Sequence, residues 1–374
     1  MNKIPLKELC TLIMGQSPSS DSYNKEKRGL PFYQGNADFG TLHPVTRIWC
    51  DAPKKLAYEG NILISVRAPI GAINIAEETC SIGRGLAAIV PNLEKCDLTY
   101  FFYAMRASCR YLQNKGTGST FKAINKEALE NLPLPNYDKK KQYMIGKKLQ
   151  QIDVLSDKYK GQIDLLNVLV QSRFIEMFGT WKNTKYDVKT IEELCEPIKD
   201  GTHQTPTYTD DKENGFLFLS SKDVTSRYID WNHPKYIPKD LHEELSKRIR
   251  PKKGDILLAK NGTTGIAAIV DKDFVFDIYV SLALLRFHPG NNIKFMWMAI
   301  NMPETKIQFN SHLKGIGVPN LHLGEIKKTK LIVPPIELQE KFAKLEEQVD
   351  KSKYRGEESR HFLGICYKMV MNMI

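Results

Sequence analysis

Residues 59–76 read EGNILISVRAPIGAINIA, and residues 253–270 read KGDILLAKNGTTGIAAIV. The two stretches align without a gap, so that Gly60 matches Gly254 and Gly71 matches Gly265. Each has a Gly-Asn or Gly-Asp turn, an apolar run, a turn of small residues and a second apolar run. This pattern predicts two strands joined by a turn. The same structural unit is therefore predicted at two places in the chain.

Two further pairs of segments repeat in the same order. ELCTLIMGQSPSSDSY (8–23) resembles ELCEPIKDGTHQTPTY (193–208), and KGTGSTFKAINKEALENLPLPNY (115–137) resembles KGIGVPNLHLGEIKKTKLIVPP (314–335). Co-linear matches of this kind indicate two copies of one domain of about 150 residues. A duplication often produces pseudo-two-fold symmetry, which suits a target with related symmetry.

Each copy is predicted to be α+β. Short apolar runs at 61–66, 86–90, 255–259 and 279–286 alternate with turn residues and predict strands, while 98–113 and 293–309 predict one helix per copy. Residues 138–178 carry a heptad stripe that predicts one helix, roughly 60 Å long at 1.5 Å per residue. The stripe consists of Ile145, Leu149, Ile152, Tyr159, Ile163, Leu166 and Val170.

A second stripe follows near the end of the chain. It consists of Phe342, Leu345, Val349, Leu363, Cys366, Val370 and Met373. Two stripes in one chain favour an antiparallel coiled coil. The alternative is two separate amphipathic helices, each packed on its own domain.

Composition limits the class of protein. The 374 residues carry a net charge of +11, and residues 1–150 hold 21 Lys and Arg against 13 Asp and Glu. A basic balance favours nucleic acid as partner, although a merely soluble basic surface would look the same. Seven cysteines without a CxxC predict neither disulfides nor a zinc site. No apolar run approaches the ~18 residues that span a bilayer, so we expect a soluble, cytoplasmic protein.

Motifs of catalysis are not found in the sequence. There is no P-loop, and HEELS (242–246) lacks the second histidine of a zinc protease. SIGRGLAA (81–88) is a partial dinucleotide fingerprint whose glycines tight packing explains better. The Pro-Pro pair follows Val333, which cannot hold a target amine as an amino-methyltransferase loop does. The sequence therefore predicts recognition, with no catalytic or metal site of its own.

Several segments together resemble the specificity subunit of type I restriction–modification systems, over essentially the whole chain. They are GQSP…Y (15–23), LPFYQGNADF (30–39), GSTFKAINKEALENLPLP (118–135), SRFIEMFG (172–179), LSSKDV (219–224), KGDILLAKNGTTG (253–265) and LIVPPIELQEKF (331–342). The final GICYKMVMNMI (364–374) departs from the family's usual ending.

The resemblance implies an α+β fold with two target-recognition domains, at 1–137 and 181–336. They would be separated by a central long helix at 138–180 and followed by a C-terminal helix at 337–374. Each domain would read one half of a split double-stranded DNA target, and the helices would set the gap. Partners would be two adenine methyltransferase subunits and ATP-dependent restriction subunits, which would carry S-adenosylmethionine, ATP and Mg²⁺. This chain would be non-catalytic and bind no cofactor.

Two other interpretations stay open. In one, the chain is the specificity part of a type II-like restriction enzyme in which recognition and catalysis are fused. In the other, it is a two-headed protein-interaction scaffold without DNA binding. Salt-dependent DNA binding would separate the scaffold from a DNA reader, because phosphate contacts release counterions.

Candidate DNA contacts follow from residue chemistry. Phosphate contacts are predicted in the glycine-rich turns, at Lys115, Thr117, Ser119, Thr120, Lys122, Lys314, Gly315 and Asn320. Base contacts are predicted for residues that suit guanine or adenine edges, at Gln16, Gln34, Asn36, Arg67, His203, Gln204, Lys222, Lys260 and Asn261. Each is also compatible with an ordinary surface position. Arg67 and Asn261 align across the repeat and differ, as two readers of different half-sites require.

Overall fold

The chain divides into two compact units. The computed structural model describes residues 3–116, 122–224, 227–311 and 320–374. Unit 1 comprises Met1–Gly161 with Gly356–Ile374, and unit 2 comprises Gln162–Arg355. Both divisions fall inside a long helix, so each unit contains part of two long helices.

Unit 1 combines two main sheets with helices. In chain order its strands are β1 (Lys3–Pro5), β2 (Cys10–Met14), β3 (Tyr23–Asn24), β4 (Leu30–Tyr33), β5 (Trp49–Cys50), β6 (Leu56–Ala57), β7 (Ile62–Ser65), β8 (Ile73–Ile75), β9 (Cys80–Ile82), β10 (Leu86–Pro91) and β11 (Pro133–Pro135). Its helices are α1 (Leu98–Ala107), α2 (Cys109–Lys115), α3 (Lys126–Glu130) and the start of α4 (Lys139–Phe178). The sheets have the orders β2-β10-β7-β8 and β3-β5-β4-β9-β6, and β1 pairs with β11.

Unit 2 repeats this plan. Its strands are β12 (Asp187–Thr190), β13 (Lys199–Asp200), β14 (Phe216–Leu219), β15 (Lys235–Ile237), β16 (Ile256–Ala259), β17 (Ala267–Ile269), β18 (Phe276–Ile278), β19 (Leu282–Leu285) and β20 (Lys330–Val333). Its helices are α5 (Ile191–Leu194), α6 (Lys239–Leu245), α7 (Ile293–Asn301), α8 (Pro303–Ser311), α9 (Leu323–Lys328) and the start of α10 (Ile336–Met371). The sheet β13-β19-β16-β17 matches β2-β10-β7-β8, and β12 pairs with β20 as β1 does with β11.

The duplication holds at the level of single hydrogen bonds. The turn between β7 and β8 closes by a bond from Gly71 N–H to the Ser65 carbonyl at 2.9 Å, and its equivalent joins Gly265 to Ala259 at 2.8 Å. Both glycines have positive φ, at 87° and 76°. Residues that have a Cβ rarely adopt a positive φ, which explains why both copies carry glycine at this position.

The long helices begin in the same way in both units. The Gln142 side chain accepts a bond from Asp97 N–H at 2.8 Å, and the Gln339 side chain accepts one from Asn292 N–H at 2.9 Å. Asp97 and Asn292 in turn cap α1 and α7 by accepting from the N–H groups of Tyr100 and Phe295. These two buried glutamines therefore fix equivalent register points for α4 and α10.

The single helices predicted at 98–113 and 293–309 are each two helices. In unit 1 the break is at Ser108, whose hydroxyl donates to the Ala104 carbonyl at 2.8 Å and competes with the backbone. In unit 2 the break precedes Pro303. Met302 is extended, at φ −67° and ψ 145°, because a following proline disfavours helical backbone. The α+β class is confirmed.

Opposite ends of the two long helices meet in each core. In unit 1, Ile145 and Leu149 of α4 share a cluster with Tyr367 and Val370 of α10. In unit 2, Phe174 and Phe178 of α4 pack on Phe342 of α10, with ring centroids 5.3 and 5.6 Å apart. In unit 1 the start of α4 thus packs near the end of α10, and in unit 2 the end of α4 packs near the start of α10. This confirms the antiparallel arrangement predicted from the two stripes.

Candidate nucleic-acid interface

Several loops of unit 1 converge at one end of its sheets. Gly15 N–H donates to Leu86 O at 2.9 Å and Gln16 N–H to Ile82 O at 3.0 Å. Gly83 N–H donates to the Tyr33 carbonyl at 2.8 Å. We call this end loop edge 1 and define it as residues 15–17, 34–36, 66–68, 83–85 and 122.

The remaining residues of loop edge 1 are connected by hydrogen bonds at the end of β7. Val66 N–H donates to Gly85 O at 2.9 Å, and Ala68 N–H donates to the Lys122 carbonyl at 3.1 Å. Arg67 lies between these two bonds and forms an isolated bridge with Ala123. Lys122 and Ala123 therefore lie at the strand end that carries Arg67.

Ser17 ties together three loops of this edge. Its hydroxyl lies 3.1 Å from Oε1 and 3.0 Å from Nε2 of Gln34, and it accepts from Arg84 N–H at 3.2 Å. The Gln34 N–H donates to Asp38 at 2.7 Å. The exposed Gln34 amide is thus held in place, as a group that recognises a base edge has to be.

Unit 2 builds the same edge with the same bonds. Gly201 N–H donates to Leu282 O, Thr202 N–H to Ile278 O, Tyr279 N–H to Leu219 O and Lys260 N–H to Ser281 O, at 3.4, 3.1, 2.8 and 2.9 Å. These four bonds correspond one by one to those of Gly15, Gln16, Gly83 and Val66. We define loop edge 2 as residues 201–204, 220–222, 260–261, 279–281 and 320.

Close backbone approach makes glycine necessary at one position of each edge. A Cβ on Gly15 would collide with the Gly83 carbonyl oxygen, and a Cβ on Gly201 would collide with the Ile278 carbonyl oxygen. The two glycines precede Gln16 and Thr202 in the two copies. They allow the loop after β2 or β13 to cross the sheet at its end.

A buried carboxylate organises loop edge 2. Asp200 accepts from Lys260 Nζ at 2.6 Å and from Arg248 at 3.0 Å, and His203 Nε2 lies 3.3 Å away. The side chains of Asp200 and Lys260 are only 5% and 8% exposed. Burial by itself raises the pKa of Asp200, but the hydrogen bonds and charges of Lys260 and His203 outweigh burial and lower it. The carboxylate is therefore ionised at neutral pH.

The structure gathers most predicted contact residues on the two edges. Gln16, Gln34, Arg67 and Lys122 lie exposed on loop edge 1, with Asn36 half-buried beside them. His203, Gln204 and Lys222 lie exposed on loop edge 2, with Asn261 and Asn320 half-buried and bridged to each other. Lys115 is exposed at the end of α2. Thr117, Ser119, Thr120, Lys314 and Gly315 lie outside the described residues.

Lys260 takes a different place from the one that its type predicts. Its ammonium group is buried against Asp200, so it is not exposed for contact with DNA.

Two arginines near the edges were not predicted from the sequence, Arg84 and Arg248. Arg84 lies in SIGRGLAA, whose glycines we attribute to tight packing. An arginine between two turn glycines was the available sequence signal for an exposed cation there. Arg248 is brought to the edge by its bond to Asp200, for which the sequence has no signal.

The duplicated α+β frame thus carries two related loop edges, each with exposed residues of the types that commonly contact nucleic acid. A family model described as the type I restriction modification DNA specificity domain matches residues 1–167 and again 183–359. The chain belongs to this family.

Individual relatives agree with the family. Over 170 residues the chain is 42% identical to a putative type I restriction enzyme MjaX specificity subunit of Methanocaldococcus jannaschii. The aligned region covers 43% of this chain and 40% of that protein. It is 22% identical over 297 residues to the type I restriction enzyme MjaVIII specificity subunit of the same organism, over 74% of this chain and 69% of that one. The match to the first relative thus spans well under half of its length.

A solved structure has the same fold. The crystal structure of a type I restriction-modification system S subunit from M. genitalium superposes with a TM-score of 0.60, at 16% identity, over 99% of this chain and 94% of that one.

Within the described residues, no helix combines the length and the apolar character that crossing a membrane requires. The same residues contain no cluster of three or more His, Cys, Asp and Glu with metal-binding geometry.

Proposed function

We propose that this chain is a non-catalytic DNA-reading subunit that recognises a split double-stranded target. Unit 1 reads one half-site with loop edge 1, and unit 2 reads the other with loop edge 2. Partner adenine methyltransferase and restriction subunits are directed to that site, and they carry S-adenosylmethionine, ATP and Mg²⁺.

One observation carries this proposal. The two loop edges share their backbone hydrogen bonds, while the side chains at their tips differ: Gln16 corresponds to Thr202, and Arg67 corresponds to Asn261. A constant frame with variable polar tips is what two readers of different sequences need, because bases are distinguished by side-chain donors and acceptors.

The chemistry of the edges fits both kinds of DNA contact. Exposed Arg84, Lys122 and Lys222 can neutralise phosphates, Arg67 can pair with a guanine edge, and Gln16, Gln34 and Gln204 can pair with adenine edges. Phosphate contacts position the protein, and base contacts supply sequence preference. Both kinds of group lie on the same edge in each unit.

The long helices have room for protein partners. In the unit 2 part of α4, Leu165, Val168 and Leu169 are exposed, and in the unit 1 part of α10, Phe362 and Met369 are exposed. Large apolar side chains in water along a helix are typical of docking surfaces. We propose that the methyltransferase subunits dock there and that helix length sets the gap between the half-sites.

The test is a genome-wide map of adenine methylation in the source cell, with and without this gene. We expect deletion to remove one split motif and to leave other methylated motifs unchanged. Restoring the gene with one helical turn inserted in both α4 and α10 should alter the gap and keep both half-sites. An unchanged map in cells that express the partner subunits contradicts the proposal.

Purified protein distinguishes the remaining alternatives. A DNA reader should bind duplex DNA with an affinity that falls steeply as salt rises, since its cations displace counterions. A protein-interaction scaffold should show no such salt slope. A fused restriction enzyme should cleave or methylate DNA without any partner chain.

A further inference from the structure

The Asp200 cluster is an addition to the frame of unit 2 rather than part of it. Asp200 pairs with Ala283 in the sheet, and at the equivalent place in unit 1 Met14 pairs with Ala87. Lys260 corresponds to Val66, which is 3% exposed. Unit 1 therefore closes the same corner with an apolar pair where unit 2 has a buried ion pair.

A buried ion pair is a poor choice for stability alone. The cost of removing both charges from water is often as large as their attraction, so an apolar pair of similar size does as well. Unit 1 shows that the frame accepts such a pair. The ion pair in unit 2 therefore calls for another role.

The cluster places cations at the surface. Asp200 and Lys260 are buried, whereas Arg248 and His203, which contact the same carboxylate, are 53% and 66% exposed. Arg248 and His203 line a cavity of about 270 Å³ together with Thr202, Gln204 and Glu244. Among the described contacts, one guanidinium nitrogen of Arg248 donates to Asp200 at 3.0 Å, and no other side-chain bond of this guanidinium is among them.

We infer that Arg248 is a specificity-determining residue of unit 2, held by the buried Asp200–Lys260 pair so that its guanidinium meets a guanine edge in the second half-site. This inference rests on the proposed function. Arginine offers two parallel donors that match O6 and N7 of guanine. A carboxylate that holds one nitrogen of the guanidinium in place favours this planar contact, whereas a phosphate tolerates many orientations.

The experiment selects duplexes from a randomised DNA library with the full-length chain and reads the enriched sequences. Four proteins are compared with the wild type: Arg248→Ala, Arg248→Lys, Lys247→Ala and the double variant Asp200→Met with Lys260→Val. The double variant installs the apolar pair of unit 1, so the corner stays filled. Lys247→Ala removes an exposed charge from the same segment and serves as control.

We expect Arg248→Ala to lose preference at one guanine in one half-site by roughly tenfold or more, with the other half-site unchanged. Arg248→Lys should keep overall affinity and lose the same preference, because lysine lacks the planar fork. The double variant should lose it too, while Lys247→Ala keeps the wild-type motif. The unchanged half-site in the same molecule shows that the protein is folded.

Contrary results are equally specific. If Arg248→Ala weakens all sequences alike and lowers the salt slope by about one, Arg248 contacts a phosphate and the inference is wrong. If Arg248→Ala or the double variant keeps the full motif, the inference is also wrong, although the proposed function stands. If the wild type enriches no motif at all, the proposed function fails first.

Discussion

The same corner of the fold is apolar in unit 1 and ionic in unit 2. Met14 and Val66 fill it in the first, Asp200 and Lys260 in the second, and four backbone bonds around the corner are the same in both. The frame of the edge therefore does not depend on its filling. What depends on the filling is which side chains reach the surface: Asp200 holds Arg248 and His203 there, and Met14 cannot hold a cation.

The largest effect is expected from breaking the ion pair on one side only. Lys260→Met leaves Asp200 buried without its closest cation, which should lower the free energy of unfolding by about 3 kcal/mol. Replacing both residues, as Asp200→Met with Lys260→Val, should stay within about 1 kcal/mol of wild type. Guanidinium-induced unfolding of the full chain measures both, and a double variant less stable than the single one would falsify the equivalence of the two corners.

The second prediction concerns readout at the aligned tips. Arg67→Ala should relax one half-site only, with a loss of about 2 kcal/mol of discrimination, or roughly thirtyfold. Asn261→Ala should act on the other half-site alone. Methylation motifs from cells carrying each variant provide the measurement. Equal changes in both halves after Arg67→Ala would show that the units do not read separately.

The third prediction uses a difference between the long helices. Counted from the equivalent Gln142 and Gln339, buried Leu149 of α4 corresponds to Glu346 of α10, which is 1% exposed. Burial, and then the charge of Asp350, raise the pKa of Glu346 to about 7, and Lys294 offsets this only in part. Lys294 Nζ lies 3.3 Å from Glu346 Oε2 and is the cation that partly offsets the rise.

The sign follows from proton linkage. Between the ordinary carboxyl pKa and about 7 the folded protein holds a proton that the unfolded chain releases, so stability should fall as pH rises through this window. The loss between pH 5 and pH 8 should be about 2–3 kcal/mol, and it should level off above this window. Glu346→Leu, the residue of unit 1, should remove the dependence, with Glu346→Gln as the isosteric control. Unfolding curves near pH 5 and pH 8 test this, and an equally pH-dependent Glu346→Leu protein would assign the effect to another group.

The smallest effect is expected to be equal in the two units. Asp97 and Asn292 cap equivalent helices, with side-chain oxygens 2.8 and 3.0 Å from the amide nitrogens of Tyr100 and Phe295. Asp97→Ala and Asn292→Ala should each cost about 1 kcal/mol. Denaturation gives the energies, and hydrogen exchange at Tyr100 and Phe295 shows whether the freed amide is the cause. Clearly unequal costs would mean that the helix starts are less alike than their bonds indicate.

Much of the frame could be predicted because its signals are local. Gly60, Gly71 and their counterparts mark turns that need positive φ, and the heptad stripe marks α4, which runs over Lys139–Phe178 where 138–178 was predicted. The breaks at Ser108 and Met302 were missed because apolar periodicity continues across them. Both breaks arise from backbone chemistry that the periodicity does not record.

The residues of the edges could be predicted by type but not by role. Lys260 carries a charge that, in a sequence, indicates surface and DNA, yet the fold buries it on Asp200, which lies 60 positions away. Arg248 reaches the same carboxylate from a segment that shows no repeat with the first copy.

The sequence by itself determined the duplication, the α+β class, the two long helices and the family, because repeats, periodicity and turn glycines act over short distances. Only the tertiary structure decided which polar residues stand at the loop edges and which lie beneath them. The reason is that a side chain's exposure and charge partners depend on loops that are far apart in the chain and meet only when the sheets have formed.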